Sequence, residues 1–188
     1  MISESMMTNI SSRWLPANPP FSVLAEQGEA MANILRNAYA CFPTGVVGIC
    51  ALLEGKPVGM VASSFVPVSI DPPLVSFCVQ LKSKTWEKLA TLPRLGVSFL
   101  SDQHDVTVRR LASKDENKFE GLGLGLTQEG GVLIDGATVW MDCFVENVFP
   151  AGDHLIVLMR VVALTTRPYV DPLVFHGSNF KRVQKFPR

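Results

Sequence analysis

Six apolar segments with the character of β-strands follow one another along this chain of 188 residues. Between the first two lies Glu54-Gly55-Lys56, a short glycine turn suited to a hairpin. The segments do not alternate regularly with helical patterns, as the strands of a parallel sheet would. We therefore predict a mainly β fold, an antiparallel β-barrel with helices over its ends. The six segments are residues 46–53, 57–65, 74–79, 95–100, 138–148 and 154–164.

Helical signals are confined to three places. From Glu29 onward apolar residues recur at helical spacing, and Pro43 ends the pattern. Ser83 is a suitable N-cap for a short helix that stops near Pro93. Residues 101–105 begin a third predicted helix.

A glycine-rich segment, EGLGLGL at residues 120–126, invites comparison with a dinucleotide-binding turn. That fingerprint requires a strand before the glycines and a third glycine where Leu126 stands, whereas the residues before this segment are polar. We therefore predict a flexible loop here rather than a Rossmann turn.

Charge balance and apolar content limit the expected partners. Seventeen acidic and seventeen basic residues balance, so neither nucleic acid nor an anionic membrane is expected as a partner. The apolar runs are far shorter than the ~20 residues that span a bilayer, and the N-terminus has no secretory signal. A hydrophobic content of 47% indicates a well-buried core and leaves room for an apolar dimer face. We expect an N-terminal arm over residues 1–25 and one domain over residues 26–188 of a cytoplasmic protein.

The four cysteines are Cys41, Cys50, Cys78 and Cys143, and they lie far apart within apolar runs. None has the CxxC spacing of a redox or zinc site. We predict buried, reduced thiols, which points to a reducing compartment.

Three histidines are present, His104, His154 and His176, without the HExxH or HxH spacing of a metal site, so no metal is expected. His104 lies in an acidic segment that opens a helix and is expected at the solvated surface. His154 follows Gly152-Asp153 at the start of a strongly apolar strand.

Hydroxyl groups collect at the ends of neighbouring predicted strands. Residues 83–85 open a helix whose free N–H groups and dipole suit a phosphate monoester, although an ordinary helix cap has the same sequence. Residues 63–64 are two serines that interrupt an apolar strand, and residues 43–45 offer a third place where the backbone is accessible. Such groups can bind the rim of a flat heterocycle while apolar side chains cover its face.

Five short segments occur in a characteristic order along the chain. They are Phe42-Pro-Thr-Gly-Val-Val, Gly55-Lys-Pro-Val-Gly-Met-Val-Ala-Ser-Ser-Phe, Ser69-Ile-Asp-Pro-Pro-Leu-Val-Ser-Phe-Cys-Val, Asn117-Lys-Phe and Gly152-Asp-His. In this order they resemble the flavin reductase-like family, the small reductases of two-component flavin monooxygenases. The resemblance extends from about residue 35 to residue 180. It implies an FMN-binding split barrel of antiparallel, Greek-key-like topology, with the flavin at the interface of a homodimer.

The resemblance also implies a role for each cluster. Residues 43–46 would approach the isoalloxazine ring, residues 62–65 would bond its rim, and the remainder would bracket the ribityl chain and phosphate. Ser64, or a backbone N–H beside it, would polarise flavin N5, and His154 would seat the nicotinamide. The implied cofactor-binding residues are Pro43, Thr44, Gly45, Val46, Ala62, Ser63, Ser64, Phe65, Val79, Gln80, Ser83, Lys84 and Thr85.

The implied activity is reduction of FMN or FAD by hydride transfer to flavin N5, with NADH or NADPH as co-substrate. Reduced flavin would then pass to a separate oxygenase component. Two other functions stay open at this point. One is a flavoprotein that retains FMN and reduces a dedicated acceptor, such as a corrinoid or an electron-transfer protein. The other is a barrel that binds flavin without turnover.

Overall fold

The structure, a computed structural model, describes residues 28–115 and 117–184. The predicted arm, residues 1–25, lies outside the described residues, so the division of the chain after residue 25 stays a prediction. The chain separates after Ala38 into two compact units. Helix α1 (Glu29–Ala40) has the predicted helical spacing and ends before Pro43, and none of its residues is buried.

Among the described residues the second unit contains twelve strands and two further helices. The strands are β1 (Thr44–Gly45), β2 (Val47–Leu53), β3 (Lys56–Ala62), β4 (Val66–Ser69), β5 (Leu74–Gln80), β6 (Leu95–Phe99), β7 (Leu124–Leu126), β8 (Val132–Ile134), β9 (Val139–Ala151), β10 (His154–Thr166), β11 (Leu173–His176) and β12 (Asn179–Arg182). The helices are α2 (Lys84–Leu89) and α3 (Asp105–Ala112).

Seven of these strands form one antiparallel sheet, in the order β3-β2-β6-β9-β10-β5-β4. Its two edge strands, β3 and β4, are consecutive in the sequence but do not pair with each other, so the sheet is open between them. Two smaller sheets accompany it, β1-β11-β12 and β7-β8. The prediction of a mainly β, antiparallel fold is confirmed.

The long hairpin of β9 and β10 changes its neighbours halfway along. β9 pairs with β6 only over residues 139–143, and β10 pairs with β5 only over residues 154–160. Register shifts between β9 and β10 fall at two places along the pair, which bends both strands. The hairpin therefore pairs with β5 near its turn and with β6 at its far end. This change of partner curls the sheet.

The turn between β2 and β3 is the predicted glycine hairpin. Leu53 pairs with Lys56, and Glu54 and Gly55 both have positive φ, at 51° and 78°. Two consecutive residues with positive φ are the requirement of the type I′ turn, whose twist matches that of the flanking strands.

The interior of the curled sheet is filled by one apolar cluster, and α2 contributes to it. Trp86 and Leu89 of α2 are buried, and the Trp86 ring meets Phe77 of β5 edge to face with 5.5 Å between ring centroids. Such aromatic pairs add about 1 kcal/mol to the burial of their surface. A second cluster, which includes Val46, Leu100 and residues of α3, lies outside the first.

His104 is buried, with 7% of its surface exposed, and the prediction of a surface residue is wrong. Its Nδ1 accepts a hydrogen bond from the Ser101 N–H at 3.0 Å, and its Nε2 lies 2.9 Å from the Asp135 carbonyl oxygen. Because a backbone N–H can only donate, Nδ1 is unprotonated and Nε2–H donates to Asp135. These bonds satisfy the ring, which explains why it can be buried beside α3.

The cysteines divide into two pairs. Cys50 and Cys143 are buried as predicted, and burial raises the pKa of each thiol to about 12. Cys41 and Cys78 are exposed, so the prediction is wrong for these two. In β5 the inward positions are taken by the neighbours of Cys78, so alternation turns its side chain outward. No disulfide joins the four, all of which lie in the described part of the chain.

The prediction of a loop over residues 120–126 is only partly correct. Its last three residues form β7 and pair with β8, with Leu126 opposite Val132. Elsewhere, none of the helices in residues 28–115 and 117–184 is long and apolar enough to cross a membrane.

Candidate functional site

A cleft of ≈ 460 Å³ opens where β3 and β5 end and β10 begins. His154 lies opposite Gln80 in the β10–β5 ladder, and this register brings the two strand ends together. Seven of the residues predicted from the sequence line the cleft, together with three others. The ten lining residues are Met60, Val61, Ala62, Ser63, Ser64, Cys78, Val79, Gln80, Ser83 and His154.

Ser64 ties the loop after β3 to β5. Its Oγ donates a hydrogen bond to the Cys78 carbonyl oxygen at 3.1 Å and accepts one from the Cys78 N–H at 2.9 Å. Since a hydroxyl has one proton, the Ser64 proton is directed at Cys78 in this structure. Next in the loop, Phe65 packs edge to face on Phe99, with ring centroids 4.9 Å apart.

Ser83 has the predicted role of a helix cap. Its Oγ accepts a hydrogen bond from the Trp86 N–H at 3.2 Å, and its own N–H donates to the Gln80 carbonyl at 3.0 Å. Lys84 lies just beyond the residues that line the cleft, and its Nζ is 3.4 Å from Glu87 on the exposed side of α2. Thr85 also lies outside the lining.

His154 is oriented by its neighbour in the hairpin turn. Its Nδ1 lies 2.7 Å from Asp153 Oδ1, and because a carboxylate only accepts, the ring donates from Nδ1. This hydrogen bond from His154 lowers the pKa of the Asp153 carboxyl below its ordinary value. The backbone holds the same turn in place, since Leu81 N–H donates to the Asp153 carbonyl at 3.1 Å. Its second ring nitrogen, Nε2, makes no hydrogen bond to the described residues, and His154 lines the cleft.

The residues predicted from the first strand segment do not line this cleft. Val46 is 4% exposed and packs in the second core cluster, so its side chain is unavailable to a ligand. A Cβ added to Gly45 would meet nothing within 4 Å, so the backbone there is open. Thr44 Oγ1 is buried and has no hydrogen-bond partner among the described residues. Pro43 precedes β1 directly.

Three lining residues were missed from the sequence: Met60, Val61 and Cys78. Met60 and Val61 precede the predicted Ala62 and carry no polar group, so only their place at a strand end could have identified them. Cys78 was assigned to the core. Cys78 comes opposite Ser64 because of the β4–β5 register, which places Val66 opposite Ser76.

A second cleft, of ≈ 450 Å³, lies toward the other end of β10. It includes Gly123 and Gly125 of the glycine-rich segment, Trp140 and Thr165, and its one charged lining residue is Asp135. Of the two clefts, only the first gathers hydroxyls with a histidine.

Comparisons with known proteins agree with one another. Residues 39–184 match the family described as the flavin reductase like domain. A flavin reductase of Pseudomonas putida is 39% identical over 140 residues, which cover 74% of this chain and 82% of the relative. Among solved structures, nitrilotriacetate monooxygenase component B of Mycobacterium thermoresistibile is similar with a TM-score of 0.80 and 31% identity, covering 86% of this chain and 93% of that one. A Streptomyces globisporus NADH:FAD oxidoreductase in complex with NAD and FAD fragments gives a TM-score of 0.78 at 31% identity, with 85% and 98% covered.

Proposed function

Since this chain belongs to the flavin reductase-like family, we propose that it is an NAD(P)H:flavin oxidoreductase that reduces FMN or FAD. The family predicted from five sequence segments is thus confirmed, and so is the split-barrel fold class. The observation that carries the proposal is the cleft at the ends of β3 and β5, which gathers hydroxyl groups, main-chain groups outside the ladders and a histidine.

The residues of this cleft fit a flavin. A flavin needs apolar surface for its ring faces, hydrogen-bonding groups for its rim and donors for its phosphate. Met60 and Val61, both partly exposed, supply the apolar surface, and the loop of residues 63–65 supplies the polar groups. The volume of the cleft lies within the ~300–1,000 Å³ usual for ligand sites.

The protein contributes alignment rather than acid or base chemistry. A bound flavin supplies the hydride acceptor, its N5 atom, and the nicotinamide supplies the hydride. The loop of residues 63–65 would hold the rim of the heterocycle, and Gln80 and Ser83 would bind its polar tail. His154, hydrogen-bonded to Asp153, would border the nicotinamide. Holding two planar rings in contact accounts for much of the expected acceleration.

The decisive experiment follows NADH and NADPH oxidation at 340 nm, with FMN, FAD and riboflavin each added in excess and then omitted. We expect rapid oxidation that depends on added flavin. If oxidation is absent and the purified protein retains flavin after reduction, the protein is a flavoprotein with a dedicated acceptor. If oxidation and flavin binding are both absent, the cleft is not a flavin site and the proposal fails.

Reduced flavin leaves the protein and is consumed by a separate oxygenase. The open position of the cleft, at the surface where strands end, supports release of the product. Cys50 and Cys143 are buried thiols, and no disulfide joins the four cysteines, all of which lie in the described residues. This supports a reducing compartment, for which we propose the cytoplasm.

The protein acts as a homodimer through the outer face of β5, β10 and β9. On this face Cys78 lies opposite Ile156, and Ile156 lies opposite Phe149. Phe149 and Val66 at the edge of the same face are 46% and 50% exposed. A row of apolar side chains across three strands is unusual for a surface in contact with water. Cys78 also lines the cleft, so the face is continuous with the site.

Ile156→Glu is expected to convert the dimer to a monomer, because a carboxylate in the middle of an apolar interface must be desolvated without a partner. Light scattering measures the mass. Val106→Glu is the matched control: Val106 of α3 is 63% exposed and lies away from the proposed face. A variant Ile156→Glu that stays dimeric would place the interface elsewhere, and a monomeric unsubstituted protein would contradict the dimer itself.

A further inference from the structure

Ser64 lies at the position opposite Cys78 in the extended β4–β5 ladder, but it bonds Cys78 through its side chain and not through its main chain. In the β4–β5 ladder Val66 lies opposite Ser76 and Pro67 opposite Val75. Continuing this register by two residues places Ser64 opposite Cys78. In an antiparallel ladder every second pair exchanges two bonds between main-chain N–H and C=O groups. Because Cys78 directs both of its main-chain groups toward Ser64, this position is one of them. Here both Cys78 groups are bonded instead to the single Ser64 Oγ, at 2.9 and 3.1 Å.

This substitution keeps β5 satisfied while the backbone of the loop departs from it. Without the hydroxyl, the Cys78 N–H and C=O would lose both bonds, and the loop would either detach from β5 or close onto it as a regular strand. With the hydroxyl, residues 63–65 stay within a side chain's length of β5 but outside the ladder. The cleft opens at this departure, since Ser63, Ser64 and Cys78 all line it.

We propose that Ser64 is a positioning residue whose hydroxyl replaces the main-chain pairing with Cys78, so that the main-chain groups of residues 63–65 are presented to the rim of the flavin. This inference rests on the proposed function. It assigns the polarising contact to a backbone group beside Ser64 rather than to the hydroxyl, because the hydroxyl proton is already directed at the Cys78 carbonyl. The Ser64 side chain acts on the ligand only through the loop that it holds.

The test compares three variants by flavin affinity, by melting temperature and by hydrogen exchange of the Cys78 amide in flavin-free protein. Ser64→Ala removes the hydroxyl, and Ser64→Thr keeps a hydroxyl at the same atom. Ser98→Ala is the matched control, since Ser98 Oγ likewise accepts from a backbone N–H, that of Ile134 at 2.9 Å, and lies outside the cleft lining.

For Ser64→Ala we expect the FMN dissociation constant, measured by fluorescence quenching, to rise at least about tenfold, with faster exchange of the Cys78 amide. Ser64→Thr should restore both quantities. Ser98→Ala should lower the melting temperature but leave the FMN dissociation constant unchanged.

Three results separate the outcomes. If Ser64→Ala binds FMN as tightly as the unsubstituted protein, the positioning role is overturned while the proposed function stands. If Ser64→Thr binds as weakly as Ser64→Ala, the hydroxyl is not the cause and the inference also fails. If the unsubstituted protein binds no flavin at all, the proposed function fails first, and the Cys78 exchange rates then report on the Ser64 contact alone.

Discussion

Replacing His154 by alanine is expected to lower kcat/KM for the reduced nicotinamide by about a hundredfold, the cost of a misplaced reactant. The FMN dissociation constant should change little, because the loop of residues 63–65, which leads into β4, is separated from the β10 strand end by β5. The reason is geometric. His154 is the first residue of β10, and its ring is fixed through Nδ1 by Asp153 at 2.7 Å. The substitution removes the ring that we propose as the lateral contact of the nicotinamide.

The measurement is steady-state oxidation at 340 nm with the nicotinamide and the flavin varied separately. His104→Gln serves as the contrasting control, because His104 is a buried histidine bonded to Ser101 and Asp135. That variant should melt at a lower temperature but keep both kinetic constants at a temperature where it is folded. An unchanged kcat/KM in His154→Ala would remove His154 from the nicotinamide site.

Gly96→Ala is expected to lower the free energy of unfolding by about 3 kcal/mol or more, at the upper end for overpacked sites. A Cβ on Gly96 of β6 would overlap the Val132 carbonyl oxygen and lie 2.8 Å from the Val132 nitrogen. Both atoms belong to the backbone of β8, which packs closely over β6 at this point. A backbone cannot rotate away as a side chain can, so one of the two strands must shift.

Urea or thermal unfolding monitored by circular dichroism measures this loss. Gly125→Ala is the matched control in β7, because its Cβ would meet only Leu133 Cβ, at an ordinary 3.7 Å. That variant should unfold within about 1 kcal/mol of the unsubstituted protein. Equal stability of Gly96→Ala would mean that β8 does not approach β6 as closely as described.

The local features of the fold were readable from the sequence. Alternation and apolar runs predicted the six strand segments, Glu54-Gly55 predicted the hairpin, and Ser83 predicted the cap of α2. The change of partner along β9 and β10 was not readable, because register between distant strands depends on the whole sheet. β7 and β8 were missed because three residues each, with a glycine in β7, give too short a pattern to recognise.

The candidate site, like the fold, was predicted only in part. Ala62, Val79, Gln80 and His154 meet because three strands end at one place in the sheet. Val46 turned inward instead, because its side chain packs in the second cluster, and its carbonyl accepts from Leu100 N–H at 2.9 Å. His104 shows the converse case, since its burial depends on Asp135, a residue 31 positions away in sequence.

The hairpin of β9 and β10 turns within two residues, Gly152 and Asp153, with Gly152 at a φ of 62°. His154 is therefore held by a tight turn, and the register of β10 with its neighbours sets its position at the cleft. The opposite wall is a short loop, attached to β5 by one hydroxyl. We expect the two walls to have different roles. The loop of residues 63–65 can deform and accommodates flavins that differ in their tails, while the β9–β10 hairpin keeps hydride donor and acceptor aligned. Such a scaffold can broaden its choice of flavin during evolution without loosening the geometry of the transfer.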